Sequence, residues 1–268
     1  MFENPLISVI TVCLNSEATI EGTLKSMLSQ TYDNYEYVIC DGCSKDSTLD
    51  IVKKYEPLFN GKLRVYQEKD TGMYNAINKG IEKCTGKIIG ILNSDDYYSE
   101  NTLELVAKKY EEEAYEMIVI NGDMERVSDE GEVVHRYRFT QDMVDKKQCF
   151  GHPSMFAAKA VYDKIGGYDE SYRWAGDGDW QYRAHEDDEV RYVLCPEVFN
   201  HMREGGASDL FKYRWVWFKE RSRMKIEHNR GSKLKIYYQE LKSVIRTDIK
   251  NLLPKSLQKK AYALKYKK

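Results

Sequence analysis

No stretch of the 268 residues approaches the roughly 18 to 20 consecutive apolar positions that a membrane-spanning helix needs. The opening residues, MFENPLISVITV, lack a basic segment ahead of an apolar run and lead directly into a strand pattern, so no secretory leader is expected. These absences predict a cytoplasmic chain whose six cysteines stay reduced. Cys40 and Cys43 have CxxC spacing, but no second pair stands at zinc-site spacing and no ligand histidine is near, so CDGC reads as the turn after a strand. Glycine is missing from the loop Cys13-Leu14-Asn15-Ser16-Glu17-Ala18, which follows the first strand. A dinucleotide-binding turn needs GxGxxG there so that backbone can approach a pyrophosphate, and a P-loop needs GxxxxGKS/T. Sugar-nucleotide pyrophosphorylases also use a glycine-rich first loop, so all three classes are disfavoured. No recognised nucleic-acid motif is present, and no nucleic-acid partner is expected.

The formal net charge of −2 hides an asymmetry. Residues 211–268 carry 18 Lys/Arg against 4 Asp/Glu, a net of +14, which leaves −16 for the first 210 residues. A basic tail on an acidic body predicts an anionic partner, and a membrane surface is the expected one. The plainer alternative is a solvated, lysine-rich helical end. Residues 208 to about 230 and 232 to 250 read as helices, the first setting Tyr213, Trp215, Trp217 and Phe218 beside Lys212, Arg214, Lys219, Arg221 and Arg223. The last segment, NLLPKSLQKKAYALKYKK, sets Leu252, Leu253, Leu257, Ala261 and Leu264 among six lysines from Lys255 onward. It reads as a basic amphipathic helix on an anionic leaflet, or one that packs back on the body or forms a homodimer.

Strand and helix patterns alternate over the first 120 residues. LISVITV (6–12), YEYVIC (35–40), LRVYQ (63–67), KIIGIL (87–92) and MIVIN (117–121) read as strands. Between them lie a helix at 18–29, one capped by Ser47 and running through Ile51, Val52 and Tyr55, and one that buries Met73, Ala76, Ile77, Ile81 and Cys84. The alternation predicts an α/β fold with a largely parallel, doubly wound sheet and helices on both faces. In such sheets ligands bind outside the carboxyl ends of the strands. Polar groups gather there: Asn15 and Glu17 after the first strand, Asp41 after the second, Asp95 and Asp96 after the fourth. Each alone is an ordinary turn or cap residue, but their convergence on one sheet edge points to a site. With no glycine loop, the site must use side chains, and adjacent aspartates suit a Mg²⁺ or Mn²⁺ ion bridging to a diphosphate.

Three segments then carry a resemblance: PLISVITVCLNSEATIEGTLKSMLSQTYDNYEYVICDGCSKDST, EKDTGMYNAINKGIEKCTGKIIGILNSDDYY and GHPSMFAAKAVYDKIGGYDESYRWAGDGDWQYR. Together, in order, they resemble family-2 glycosyltransferases of the GT-A type over most of residues 5 to 208. The resemblance implies an inverting transferase with a nucleotide-sugar donor, UDP being the commoner nucleotide among relatives, and a divalent metal, Mn²⁺ or Mg²⁺. It implies that Asp95 and Asp96 hold the metal and the nucleotide ribose, and that Asp41 reads the base or ribose. Thr11 to Glu17 would wall the base pocket, and Asp70, Asn78 and Ser94 would join the donor site. Residues 1–122 would form the nucleotide-sugar half, 123–210 the acceptor and catalytic half, and 211–268 the basic tail. Two positions depart from the family pattern: Gly42-Cys43 replaces an acid and a glycine, and Asn93 replaces the first acid of the metal motif, which leaves the roles of Asp95 and Asp96 undivided.

WAGDGDWQYR (174–183) holds the second constellation. Transfer to an alcohol needs a base near the attacking hydroxyl, and one carboxylate suffices if inversion occurs in a single displacement. Inverting relatives place this acid six positions before an arginine, which implies Asp177 ahead of Arg183, with Asp179 second. His201 precedes the glycine-rich Arg203-Glu204-Gly205-Gly206-Ala207-Ser208; by the same resemblance it would complete the metal shell and Arg203 would neutralise diphosphate charge. His152 is expected on the acceptor side, and Trp174 and Trp180 either stack on an acceptor sugar or pack the core. Processive synthases carry QxxRW after the base, but Arg214-Trp215 is preceded at the glutamine position by Phe211. Addition of a single sugar is therefore expected, to a glycan or lipid-linked acceptor in bacterial cell-surface polysaccharide or glycolipid synthesis, as many bacterial members do. The rival reading is a non-catalytic binding protein on the same fold.

Overall fold

The computed structural model describes residues 3–128, 130–206 and 213–252. Its first half is a parallel sheet in the order β3-β2-β1-β4, from β1 (Ile7–Cys13), β2 (Tyr35–Asp41), β3 (Leu63–Gln67) and β4 (Ile88–Ile91). ISVITVC and IIGI are almost wholly buried, as strands covered on both faces must be. The covering helices are α1 (Ile20–Leu28), α2 (Thr48–Tyr55) and α3 (Met73–Lys83). α3 is phased so that Tyr74, Ile77 and Ile81 face the sheet; Met73, expected inside, is only half-buried. The cap expected from Ser47 comes instead from Asp46, whose Oδ1 accepts the Thr48 N–H at 3.0 Å.

Downstream the sheet becomes mixed. β8 (Met155–Ala158) inserts antiparallel between β4 and β6 (Ile118–Val127). β9 (Arg191–Arg203) runs parallel to β6, and β5 (Tyr97–Tyr98) closes the edge antiparallel to β9. β7 (Val133–Tyr137) pairs with β6 as a hairpin. The strand expected at 117–121 is thus the start of a ten-residue strand, and the boundary expected at 122 falls inside it. The remaining helices are α4 (Thr102–Glu113), α5 (Gln141–Asp145), α6 (Lys159–Ile165), α7 (Gly176–Glu186), α8 (Arg214–Glu227) and α9 (Lys233–Leu252).

The seam between the halves is a glycine–aromatic device. Gly90 in β4 is the cross-strand partner of Phe156 in β8, and a Cβ on Gly90 would overlap the Phe156 ring. A Cβ on Gly122 in β6 would overlap Phe199 in the same way. The two rings meet edge to face at 6.0 Å, and both are fully buried. Each ring fills the space above a bare backbone, so these glycines are packing positions.

The basic C-terminal stretch is no detached tail over its described part. Part of the α8 charge is spent on packing: Arg223 stacks over the Tyr172 ring at 3.8 Å and donates to Ser171 Oγ at 2.7 Å. Arg221 and Lys225 pair with Glu240 of α9, which is itself buried. The lysine-rich amphipathic segment from Lys255 onward lies outside the described residues, and no helix among those described is long and apolar enough to cross a membrane. Because Phe156 has no room to give, Gly90→Ala should lower unfolding free energy by about 1–3 kcal/mol in urea titration; an unchanged midpoint would show that the seam can repack.

Candidate active site

The β1–α1 and β2–α2 loops are stapled together at the carboxyl edge of the sheet. Asn15, with φ +54°, accepts the Lys45 N–H on Oδ1 at 2.8 Å, and Glu17 accepts the Ser47 N–H at 2.9 Å. These two residues therefore brace the rim, a structural role for side chains expected to touch the donor. Asp41, at the end of β2, is almost fully buried; its carboxylate accepts the Ser44 N–H at 2.9 Å and the Ser44 hydroxyl. Beside it, burial and the Asp41 charge push the Cys13 thiol pKa up, so the thiol stays protonated and donates to Asp41 Oδ1 at 3.6 Å. A small crevice runs from Asp41 to Asp70, where a Cβ on Gly42 would stand 2.5 Å from Asp70 Oδ2. Leu14 lies against the same spot and is 57% exposed, an apolar platform over two acids. Cys43 takes a left-handed φ of +67°, as a turn after the strand.

The turn after β4 holds the paired acids. Asp96 is buried and accepts hydrogen bonds from Asn93 Nδ2 at 2.9 Å and from the Arg203 backbone N–H at 3.1 Å. Burial, then the charge of Asp95, pushes its pKa up to about 8. The asparagine that stands where relatives have an acid thus acts as a donor to Asp96, where a third carboxylate would add repulsion. Asp95 is half-buried, and a Cβ on Gly206 would come within 2.9 Å of its Oδ2, so the glycine-rich segment after β9 passes directly over it. Ser94 shares a hydrogen bond with Ser16 across the loops at 2.9 Å. Two adjacent carboxylates, one desolvated and raised by the other, are a donor set that fits a hard divalent cation. Among the described residues no group of three or more His, Cys, Asp or Glu side chains converges as a metal cage.

Asp177 sits in the first turn of α7, between two glycines. A Cβ on Gly176 would stand 2.8 Å from the Tyr74 ring, and one on Gly178 would stand 2.7 Å from Met224 Sδ. The alternation in GDGD therefore lets the turn lie flat between α3 and α8. Tyr74 donates to Asp177 Oδ1 at 3.2 Å and stacks on Tyr168, whose hydroxyl hydrogen-bonds His152 Nε2 at 2.7 Å. Burial lowers the His152 pKa, against the pull of Asp177, so the ring is held neutral beside the acid. Glu220 of α8 caps the approach to α7, accepting the N–H groups of Arg173, Trp174 and Ala175 at 2.8 to 3.1 Å. Asp177 carries no ion pair among the described residues, while Asp179 is committed to Arg183 and His228, each at 3.0 Å.

These contacts correct the expectations for Thr11, Asn78, Asp179, His201 and Arg203, and give Trp174 and Trp180 the packing role of their two alternatives. Thr11 is fully buried; its hydroxyl donates to Leu92 O at 2.8 Å and accepts from Tyr37 OH, so it lies beneath the site. Asn78 spends its amide on the backbone of Tyr168 and on Glu170, pinning α3 to the 167–170 loop. Trp180 is fully buried against Tyr162, with its indole N–H on Gly166 O, and Trp174 stacks on Trp217 of α8. Asp179 is unsuited as a second base because both oxygens are paired. His201 turns away from the acid pair: Nε2 meets Ser99 Oγ at 3.0 Å and Nδ1 faces Glu125 at 3.3 Å, with Tyr97 stacked on the ring. Arg203 reaches Asp96 through its backbone, and its guanidinium lies over Tyr97 near Gly22. A cleft of about 730 Å³ contains His201 and Arg203 but none of Asp41, Asp95, Asp96 or Asp177. Tyr74 and Glu220 were not expected; the α3 phase Tyr74-Ile77-Ile81 could have revealed the first, whereas nothing local marks the second.

A parallel half whose strand ends gather acids, joined to a mixed half that offers one unpaired carboxylate in the first turn of a helix, defines a GT-A-type glycosyltransferase. The chain belongs to glycosyl transferase family 2, whose model matches residues 8–166. A PGL/p-HBAD biosynthesis glycosyltransferase of Mycobacterium bovis (strain BCG / Pasteur 1173P2) is 30% identical over 188 residues, 67% of this chain and 70% of that protein. In fold, the chain is similar to S. aureus TarS 1–349 in complex with UDP-GlcNAc, with a TM-score of 0.66 at 20% identity, over 88% of this chain and 71% of that one. It is also similar to mannosyltransferase PcManGT of Pyrobaculum calidifontis in complex with GDP-Man and Mn²⁺, with a TM-score of 0.63 at 18% identity, over 91% and 69% of the two chains. The different commitments of the two acids in GDGD predict opposite phenotypes. Asp179→Ala should cost about 3 kcal/mol of stability by leaving Arg183 and His228 without their shared carboxylate, whereas Asp177→Ala should change stability by less than about 1 kcal/mol. Chemical denaturation of both variants checks this, and equal losses would make Asp177 structural.

Proposed function

We propose that the protein is an inverting, metal-dependent transferase that moves one sugar from a nucleotide-diphosphate sugar to an acceptor hydroxyl. The observation that carries the reading is the pairing pattern around α7, where Asp177 is oriented by Tyr74 while the neighbouring Asp179 is fully committed. A single usable carboxylate supports a single displacement. The acceptor oxygen bonds to the anomeric carbon, the bond to the diphosphate breaks with its electron pair, and the acceptor proton passes to Asp177. Asp41 and Asp70, with Leu14 as platform, would receive the base and ribose. Asp95 and Asp96 would hold a Mn²⁺ or Mg²⁺ ion, which when bound supplies charge to the leaving diphosphate. The fold relatives' complexes with UDP-GlcNAc, and with GDP-Man and Mn²⁺, support this class of donor and metal, and UDP is the nucleotide we favour.

In this reading residues 1–122 serve the donor and 123–210 the acceptor and base, with α8 as the prop behind the base. The mycobacterial relative's role in PGL/p-HBAD biosynthesis supports a biosynthetic transfer onto a bacterial cell-surface glycan or glycolipid. α9 supports a cytoplasmic enzyme peripheral to the inner membrane face. Its exposed Leu234, Tyr237, Tyr238, Leu241 and Ile245 form one helical stripe, flanked by Lys233, Lys235, Lys242 and Arg246. Leu241→Glu with Ile245→Glu should abolish co-sedimentation with phosphatidylglycerol vesicles; if it instead abolishes a dimer measured by analytical ultracentrifugation, the stripe is a homodimer face.

Donor and base are separable by experiment. A thermal-shift panel of UDP-, GDP-, CDP- and dTDP-sugars with Mn²⁺ or EDTA should give a metal-dependent shift for one nucleotide, lost in Asp95→Ala. Asp177→Asn should keep that shift and lose roughly 10²–10⁴-fold in turnover. Turnover near wild type in Asp177→Asn would overturn the base, and no metal-dependent shift with any nucleotide would favour the non-catalytic binding protein.

A further inference from the structure

A second cleft, of about 660 Å³, has Asp177 in its wall. The rest of its lining includes Lys146, Lys147, Arg221, Lys225 and Arg230, five cations facing one carboxylate. The cations are unequally compensated. Lys146 pairs with Asp142 at 2.7 Å, and Arg221 and Lys225 share the single buried carboxylate of Glu240, at 3.1 and 2.6 Å. Arg230 donates to the Lys147 carbonyl and lies over the Tyr182 ring at 4.0 Å, but has no carboxylate among the described residues. The exposed Lys147 has none either. Trp217 stands in the same lining, its buried indole N–H without an acceptor among the described residues.

Like charges held around a concavity repel one another, and the protein gains when an anion enters. Arg230 is anchored through its own hydrogen bond and ring stacking, which pre-orders a fork suited to phosphate oxygens. Tyr182 and Trp217 add aromatic surface of the kind that packs on sugar faces. The two uncompensated cations, Lys147 and Arg230, match the two charges of a phosphate ester; a sugar carboxylate would balance only one.

We propose that this cleft is the acceptor site and that the acceptor is a phosphate-bearing sugar, its phosphate held by Arg230 and Lys147 while its attacking hydroxyl meets Asp177. The proposal rests on Asp177 as the base. Cys149, also in the lining, ties the cation side of the cleft to the base: its thiol donates to the carbonyl of Gly178, the residue after Asp177, at 3.6 Å.

The test uses the full chain saturated with Mn²⁺ and the nucleoside diphosphate that gives the thermal shift, with tryptophan fluorescence reporting through Trp217. Glucose 1-phosphate should bind at least tenfold tighter than methyl glucoside and tighter than glucuronate. Lys147→Gln with Arg230→Gln should erase that preference while keeping the nucleotide shift. If the double variant fails to fold, Lys147→Gln alone, at an exposed position, should reduce the preference severalfold. Equal binding of charged and neutral sugars, or glucuronate as tight as glucose 1-phosphate, would overturn the proposal. Farnesyl diphosphate serves as a further arm: tighter binding than glucose 1-phosphate assigns the phosphate to a prenyl carrier, and weaker binding assigns it to a water-soluble phosphosugar. Failure here with an intact nucleotide shift sinks the cleft alone, whereas a missing shift, or active Asp177→Asn, sinks the underlying reading.

Discussion

Two adjacent carboxylates at the mouth of a core strand are electrostatically expensive, and much of the architecture is arranged around that expense. Asp96 is taken out of water and must be satisfied from within. Asn93 supplies one donor, and the backbone of Arg203 supplies another from the far end of β9. Thr23 of α1 donates to the Asp96 carbonyl at 2.7 Å. One turn thus ties together β4, α1 and β9, elements from opposite ends of the chain. The charge of Asp95 opposes ionisation of its neighbour, and a divalent cation would remove that opposition, which links the cost in the fold to the donor role proposed for the pair.

The base side is built by steric permission. Two glycines allow an aromatic ring and a thioether to close on the first turn of α7, and only then can Tyr74 reach Asp177. Tyr74 stands four residues after Asp70, so one short segment at the start of α3 both lines the Asp41–Asp70 crevice and reaches Asp177. Glu220 holds the backbone entering α7 from α8. The C-terminal helices therefore help hold the first turn of α7, and their positive charge divides into a portion spent on packing and a portion that faces the cleft at Asp177.

The strand-end acids are legible in the amino-acid order because parallel β/α units put every strand's carboxyl end on one edge, and hydrophobic periodicity marks where each strand ends. Asp41, Asp95 and Asp96 are placed on that edge in this way, whereas Asp177, in the first turn of α7, was expected only from the resemblance to the family. Thr11, Asn78 and Trp180 are not separable from ligand-contacting residues by type, since a hydroxyl, an amide and an indole serve equally well as internal fasteners. His201 looks like a ligand by its place after α7, yet its ring is claimed by Ser99, just past β5, and by Glu125 of β6. Two-residue β5 is too short to show a period.

What the chain's order alone determined is the run of β/α units in the first half, the sheet edge where their strands end, and which acids end there, because those follow from local periodicity and a handed connection rule. What the tertiary structure decided is which of those side chains remain available. Availability depends on partners remote in sequence: Arg183 and His228 remove Asp179 from service, Tyr74 orients Asp177 from 103 residues away, and Glu240 neutralises two of the cleft's five cations. Hydrogen bonds and ion pairs are settled by distances of about 3 Å, and no spacing along the chain encodes those.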